Sequence, residues 1–106
     1  MGFFDLFKQP DINQGVADFR KSPDDLLLDV RSPEEYREGH IPGSQNLPLQ
    51  LLDKLPAVVE NKEKELFVYC RSGARSRQAV EILKSMGYVN AHNIGGIVAY
   101  HGKVER

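Results

Sequence analysis

Apolar positions along this chain follow two rhythms. Leu26-Leu27-Leu28, running into Asp29-Val30, and Leu66-Phe67-Val68-Tyr69 are short unbroken runs, the pattern of strands covered on both faces. Elsewhere the spacing opens to that of helices: Ile12, Val16 and Phe19, then Leu49, Leu52 and Leu55, then Ala79, Ile82, Leu83 and Met86. The first set predicts a short helix over about residues 13–21, capped by Asn13 and weakened by Gly15. Ser22-Pro23-Asp24-Asp25 is a turn cluster before the first strand.

Punctuation sharpens the middle of the chain. Ser32, Pro33 and Glu35 make a capping box with proline at the first helical position, and Gly39 stops that helix. A short strand through Asn46-Leu47 is limited by Pro48, and a helix near residues 49–60 is broken or ended around Pro56. Asn61–Glu65 reads as a solvated linker. After the last helix Gly87 stands where a left-handed C-cap belongs. Val89 to Ile94 is a further strand, Gly95-Gly96 a loop, and Ile97 to Tyr100 a last helical turn. Strands and helices alternate without repeats. That order predicts an α/β domain of three layers with a mostly parallel sheet, whose ligands bind beyond the carboxyl ends of the strands.

The chain's 106 residues suffice for one compact domain. Residues 11–106 are its expected extent, and residues 1–10 an apolar extension rich in phenylalanine (Phe3, Phe4, Phe7). That extension packs onto the domain or touches a membrane surface or partner. A net charge of −1 argues against nucleic-acid binding. The charge is unevenly spread: residues 1–65 carry eight basic and thirteen acidic side chains, residues 66–106 six and two. No stretch has the length of a membrane span, the opening residues do not make a signal peptide, and the lone cysteine cannot form an intrachain disulfide. A cytoplasmic location is expected.

That lone cysteine, Cys70, ends the best strand and precedes a helix, within the basic half. Arg71, Ser72, Gly73, Ala74, Arg75 and Ser76 follow it. Small residues let backbone N–H groups curl toward the sulfur, and the helix N-terminus points its positive end the same way. A thiol in such surroundings titrates at about 3.5–7.5 instead of about 8.5. Arg71 and Arg75 stand where a helix dipole disfavours cations, which asks for an anion nearby. His40, His92 and His101 have no metal-ligand spacing, so no metal is expected, although a Cys–His dyad stays open. Gly95-Gly96 lacks the dinucleotide fingerprint, and no cofactor is expected.

Three stretches together resemble the rhodanese (sulfurtransferase) family in its single-domain form. Leu27-Leu-Asp-Val-Arg31 with Pro33-Glu-Glu-Tyr36 and Gly39-His-Ile-Pro-Gly43 is similar to the family's first signature. Cys70-Arg-Ser-Gly-Ala-Arg-Ser76 is similar to its active-site loop, and Gly95-Gly-Ile-Val-Ala-Tyr100 to its closing motif, with Tyr100 where tryptophan is commoner. The resemblance implies a five-stranded parallel sheet between helices. It implies that Cys70 accepts sulfane sulfur from a small anionic donor such as thiosulfate and passes it to cyanide, a thiol or a protein thiol. The loop 71–76 would bind the donor, while Asp29 and Arg31 pair near its base.

Two other classes compete. Cysteine phosphatases and arsenate reductases use a similar cysteine, backbone donors and an arginine. In tyrosine phosphatases five residues separate cysteine from arginine; here four do, Arg71 to Ala74. Rhodanese relatives with those activities have a loop one residue longer, so the count favours sulfur. A regulatory or sulfur-binding module without turnover is the third reading, which the presence of Cys70 disfavours.

Overall fold

In the computed structural model, residues 9–22 and 24–106 are described. The proposed contact through the phenylalanine-rich segment falls on residues 1–8 and lies outside the described residues.

The chain runs α1 (Ile12–Lys21), β1 (Leu26–Asp29), α2 (Pro33–Glu38), β2 (Ser44–Asn46), a 3₁₀ stretch (Leu49–Ala57), β3 (Leu66–Cys70), α3 (Ala74–Ser85), β4 (Ala91–Gly96) and a closing 3₁₀ turn (Ile97–Ala99). The strands form one parallel sheet in the order β2-β1-β3-β4. Four strands, not the five expected, make up the sheet among the described residues. The α/β class and the layering are as the alternation predicts.

Side-chain alternation divides the core in two. Leu26 and Leu28 of β1, Leu66, Val68 and Cys70 of β3, and Ala91 of β4 pack on one face with Leu52, Leu55, Ala79 and Leu83. Leu27, Phe67, Tyr69 and Ile94 point to the other face, against Ile12, Val16 and Phe19 of α1. Each fully buried leucine contributes roughly 1.5–3 kcal/mol relative to exposure. Both faces of β1 and β3 are therefore dry, which explains their unbroken apolar runs.

Local corrections have physical reasons. Asp11, not Asn13, caps α1: its carboxylate accepts the N–H groups of Asn13 and Gln14. Asn13 instead binds the carbonyl of Ala99 and the N–H of His101, tying α1 to the chain's end. Gly15 weakens α1 in isolation, yet a Cβ there would run into Ile94, so the gap lets helix and β4 approach. The segment Leu49–Ala57 is 3₁₀ in place of α and carries Pro56 within it. Gly95-Gly96 continues β4 and is no loop. The Gly87 expectation holds: Gly87 N–H donates to Lys84 and Tyr88 N–H to Leu83, the paired bonds of a Schellman ending.

Candidate active site

Cys70 is the last residue of β3 and only 1 % exposed. The chain must leave the strand and enter α3 within three residues. Gly73 makes that possible by taking a left-handed conformation (φ 103°) at the N-cap. Its N–H then donates to Cys70 Sγ at 3.0 Å, and the Ser76 hydroxyl oxygen lies 3.5 Å from the same sulfur. Burial pushes the thiol up, but the Ser76 hydroxyl and the N–H groups of Ser76, Gly73 and Ser72 outweigh it, and the net shift is downward.

The loop is held from outside as well. Val98 N–H donates to the Arg71 carbonyl at 3.2 Å. Gly96 passes so close to the loop that a Cβ there would collide with the Arg71 carbonyl and reach 2.6 Å from Ser72 Cα. Two hollows of about 700 and about 310 Å³ flank the loop, one beside Gly73 and Arg77 and the other beside Arg71 and Glu35. Neither is lined by the sulfur, which sits below the rim.

Sequence reading expected Arg71 and Arg75 to seek an anion. For Arg75 that anion is within the chain: its fork meets both oxygens of Glu35, at 2.7 and 2.9 Å. Glu35 also closes the capping box of α2 with Ser32. One carboxylate thus joins the start of α2 to the start of α3, forty residues on. The Arg75 fork, opposed by burial and helped by the N–H and hydroxyl of Ser32, lowers Glu35 from 4.5 to about 2. Arg71 is exposed and has no carboxylate within ion-pair distance among the described residues.

The depressed Glu35 value has a testable consequence. The stability it contributes is complete above the ordinary value of 4.5 and is lost as pH falls from there toward about 2. Both side chains are partly exposed, so solvent screening leaves the pair about 1 kcal/mol. Glu35→Gln should unfold at lower urea than the parent protein at pH 7, and the two curves should converge toward pH 2. Parallel curves across that range would show that the pair contributes nothing.

Beneath the loop, Asp29 and Arg31 form a buried pair at the end of β1, their side chains 0 % and 6 % exposed. Arg31 Nη2 donates to Asp29 Oδ2 at 2.6 Å, Nε reaches both carboxylate oxygens, and the Arg31 N–H binds Oδ1. Arg31 also donates to the Gly39 carbonyl, and its guanidinium lies 5.7 Å from the centre of the Tyr69 ring. Burial acts against the Arg31 charge, but the bond and field of Asp29 win, so its pKa is raised.

The histidines are engaged elsewhere. His40 stacks on Tyr36 and pairs its backbone with Glu105. His92 meets Glu65 at 2.7 Å, toward the opposite end of the strands, and His101 is exposed. No group of three or more metal-ligating side chains converges among the described residues. Sequence reading missed two members of the site. Glu35 was visible as a cap, but its second partner is distant in sequence. Asn93, which binds Ser76 at 2.7 Å, carries no local signal at all.

The arrangement of a strand-end cysteine, an N–H-lined loop and a helix N-terminus can be set against known proteins. A family model, the Rhodanese-like domain, matches residues 13–103. The chain belongs to that family. Thiosulfate sulfurtransferase PspE of Escherichia coli (strain K12) is 41 % identical over 71 residues, covering 66 % of this chain and 68 % of that protein. A sulfurtransferase of Allochromatium vinosum is 39 % identical over 94 residues, covering 86 % and 84 % respectively. Among solved structures, a rhodanese with anions from E. coli superposes with a TM-score of 0.72 at 35 % identity, covering 77 % of this chain and 98 % of that one. The chain is thus a thiosulfate-sulfurtransferase-like enzyme of the rhodanese family. No helix among its described residues is long and apolar enough to cross a membrane.

Proposed function

We propose that this protein carries sulfane sulfur on Cys70, taking it from a small anionic donor such as thiosulfate and giving it to a thiophilic acceptor. The observation that carries the reading is the Gly73 N–H at 3.0 Å from Cys70 Sγ, with Ser76 beside it, at the N-terminus of α3. These donors favour an anionic sulfur. The thiolate attacks the outer sulfur of thiosulfate; a new S–S bond forms as the old one breaks, and sulfite leaves with the bonding electron pair. A thiol, protein thiol or cyanide then attacks the outer sulfur of the persulfide, and the Cys70 thiolate is released. The same N–H groups stabilise the charge before, during and after transfer. Ser72, Gly73 and Ala74 form the rim that a donor meets. No cofactor enters this scheme. A cytoplasmic setting fits the single unpaired cysteine.

The Glu35–Arg75 pair weakens the phosphatase alternative, because the loop's arginine is already occupied by a carboxylate. Intact-mass measurement after thiosulfate treatment tests the reading: the protein should gain one sulfur atom and lose it on addition of cyanide or a thiol. No sulfur gain from any persulfide donor, alongside hydrolysis of a phosphate ester, would sink it.

Arg71 is then the charge that steers the donor. Arg71→Ala should raise the KM for thiosulfate severalfold at low ionic strength with little change in kcat, and the difference should shrink as salt is added. An equal loss at every salt concentration would assign Arg71 a contact role in place of steering.

A further inference from the structure

Ser76 is completely buried, and its hydroxyl oxygen faces three acceptors. Asn93 Oδ1 lies at 2.7 Å, the Gly73 carbonyl at 3.0 Å and Cys70 Sγ at 3.5 Å. A hydroxyl has one proton to give. The Asn93 amide cannot be turned over at no cost, because the Gly95 backbone N–H donates to Oδ1 at 3.0 Å and Nδ2 faces the Gly73 carbonyl at 3.4 Å. Oδ1 is therefore the atom toward Ser76, and it is the nearest acceptor for the hydroxyl proton.

We infer that Asn93 is a positioning residue for the sulfur chemistry: it holds the Ser76 proton while Cys70 is neutral and yields it to the sulfur when the sulfur is charged. The inference rests on Cys70 being the nucleophile. On ionisation the hydroxyl turns about its Cβ–Oγ bond, so the hydrogen bond moves from Asn93 to Sγ. No covalent bond changes, and the two oxygens, no longer sharing a proton, draw slightly apart. Asn93 Oδ1 keeps the Gly95 N–H throughout.

Competition is the function of the arrangement. What Ser76 gives the thiolate is reduced by what it gives up to Asn93. The loop's N–H groups alone favour the anion, and a thiolate that is too stable is a poorer nucleophile. Asn93 therefore tempers the sulfur. Strand alternation places it there: Asn93 pairs with Val68, on the same face as Ala91, and a bulge follows, since Gly95 pairs with Tyr69 and Ile94 is left as an extra residue. Asn93 thus faces the start of α3, and the bulge after it sets the register in which Gly96 closes on the loop.

Of the charged groups on the elements packed around the loop, Arg75 senses the Cys70 charge and Arg71 follows Cys70 in the chain, while Asp29 with Arg31 at the end of β1 and Glu35 on α2 are held in ion pairs. None is altered by a change at Asn93 or Ser76. The test is the pH dependence of Cys70 alkylation by iodoacetamide in the parent protein, Asn93→Ala, Asn93→Asp, Ser76→Ala and the combined variants. Asn93→Ala should move the profile to lower pH, with the thiolate fraction on the acid side rising about two- to tenfold, the size of one hydrogen bond. Asn93→Asp should move it to higher pH, because a carboxylate is a stronger acceptor and a like charge. In the Ser76→Ala background Asn93→Ala should have no further effect, and the Asn93→Asp shift should shrink. Equal shifts with and without Ser76, or shifts in the same direction for both Asn93 variants, would overturn the inference. Should Asn93→Ala fail to fold, the near-isosteric Asn93→Asp with and without Ser76 decides it. Alkylation uses no thiosulfate, so this result stands apart from whether thiosulfate loads the protein with sulfur.

Discussion

Cys70→Ser is expected to abolish sulfur loading from thiosulfate completely while leaving the fold intact. The two side chains differ by one atom, and Cys70 packs in the core among Val68, Ala79 and Leu83 without a disulfide. A serine hydroxyl there can still accept the Gly73 N–H, so the loop keeps its shape. The chemistry does not survive the change. A serine oxygen does not ionise near neutral pH and forms no stable bond to sulfane sulfur. The rate difference should therefore be limited only by detection, whereas burying a hydroxyl in place of a thiol costs about 1–3 kcal/mol where it is incompletely paired. Two measurements separate these effects: intact mass after thiosulfate, and a urea midpoint. Retention of any sulfur gain in Cys70→Ser would remove Cys70 from the mechanism, since the chain has no second cysteine.

The site was readable from sequence to the degree that its determinants are local. The strand ending at Cys70, the small residues after it and the helical spacing of Ala79 and Leu83 all lie within a dozen positions, so backbone rules suffice. Long-range partners are another matter. Arg75 announced a need for an anion, but a helix start does not say whether a ligand or a carboxylate forty residues away will meet it. Here Glu35 does, because α2 and α3 begin side by side at the carboxyl ends of adjacent strands. Asn93 gave no sign, since its partner Ser76 lies on another element, seventeen residues away in sequence. The strand-like end of β4 was hidden for a similar reason. Gly95-Gly96 reads as a loop until the structure shows why side chains are excluded there: Gly95 takes a φ of 108°, and Arg71 and Ser72 crowd Gly96. A fifth strand implied by family resemblance has no counterpart among the described residues, where β2 and β4 are the outer strands.

Asp29→Ala should be the most destabilising single change at the base of the loop. It would leave the Arg31 guanidinium charged and 6 % exposed, with its carboxylate removed. Breaking one half of a buried ion pair costs about 3–5 kcal/mol, against a total of about 5–15 kcal/mol for a domain of this kind. The loss would spread. Arg31 would no longer be fixed against Tyr69 and the Gly39 carbonyl, and Asn46, which donates to the carbonyls of Asp29 and Arg31, would lose its frame. The urea midpoint should fall by a third or more with the slope unchanged. A second variant separates lost attraction from stranded charge. Asp29→Leu combined with Arg31→Met replaces the pair by apolar groups of similar volume, and such replacements are often neutral or stabilising. Recovery of most of the lost stability in the double variant would mean that Asp29 chiefly neutralises Arg31. Persistent loss would mean that the forked geometry itself, with its bonds into α2 and β2, holds the end of β1 in place. Sulfur loading measured per folded molecule then decides whether that frame also serves Cys70: an unchanged rate in the double variant would confine Asp29 and Arg31 to the architecture, and a fall would extend their reach to the loop.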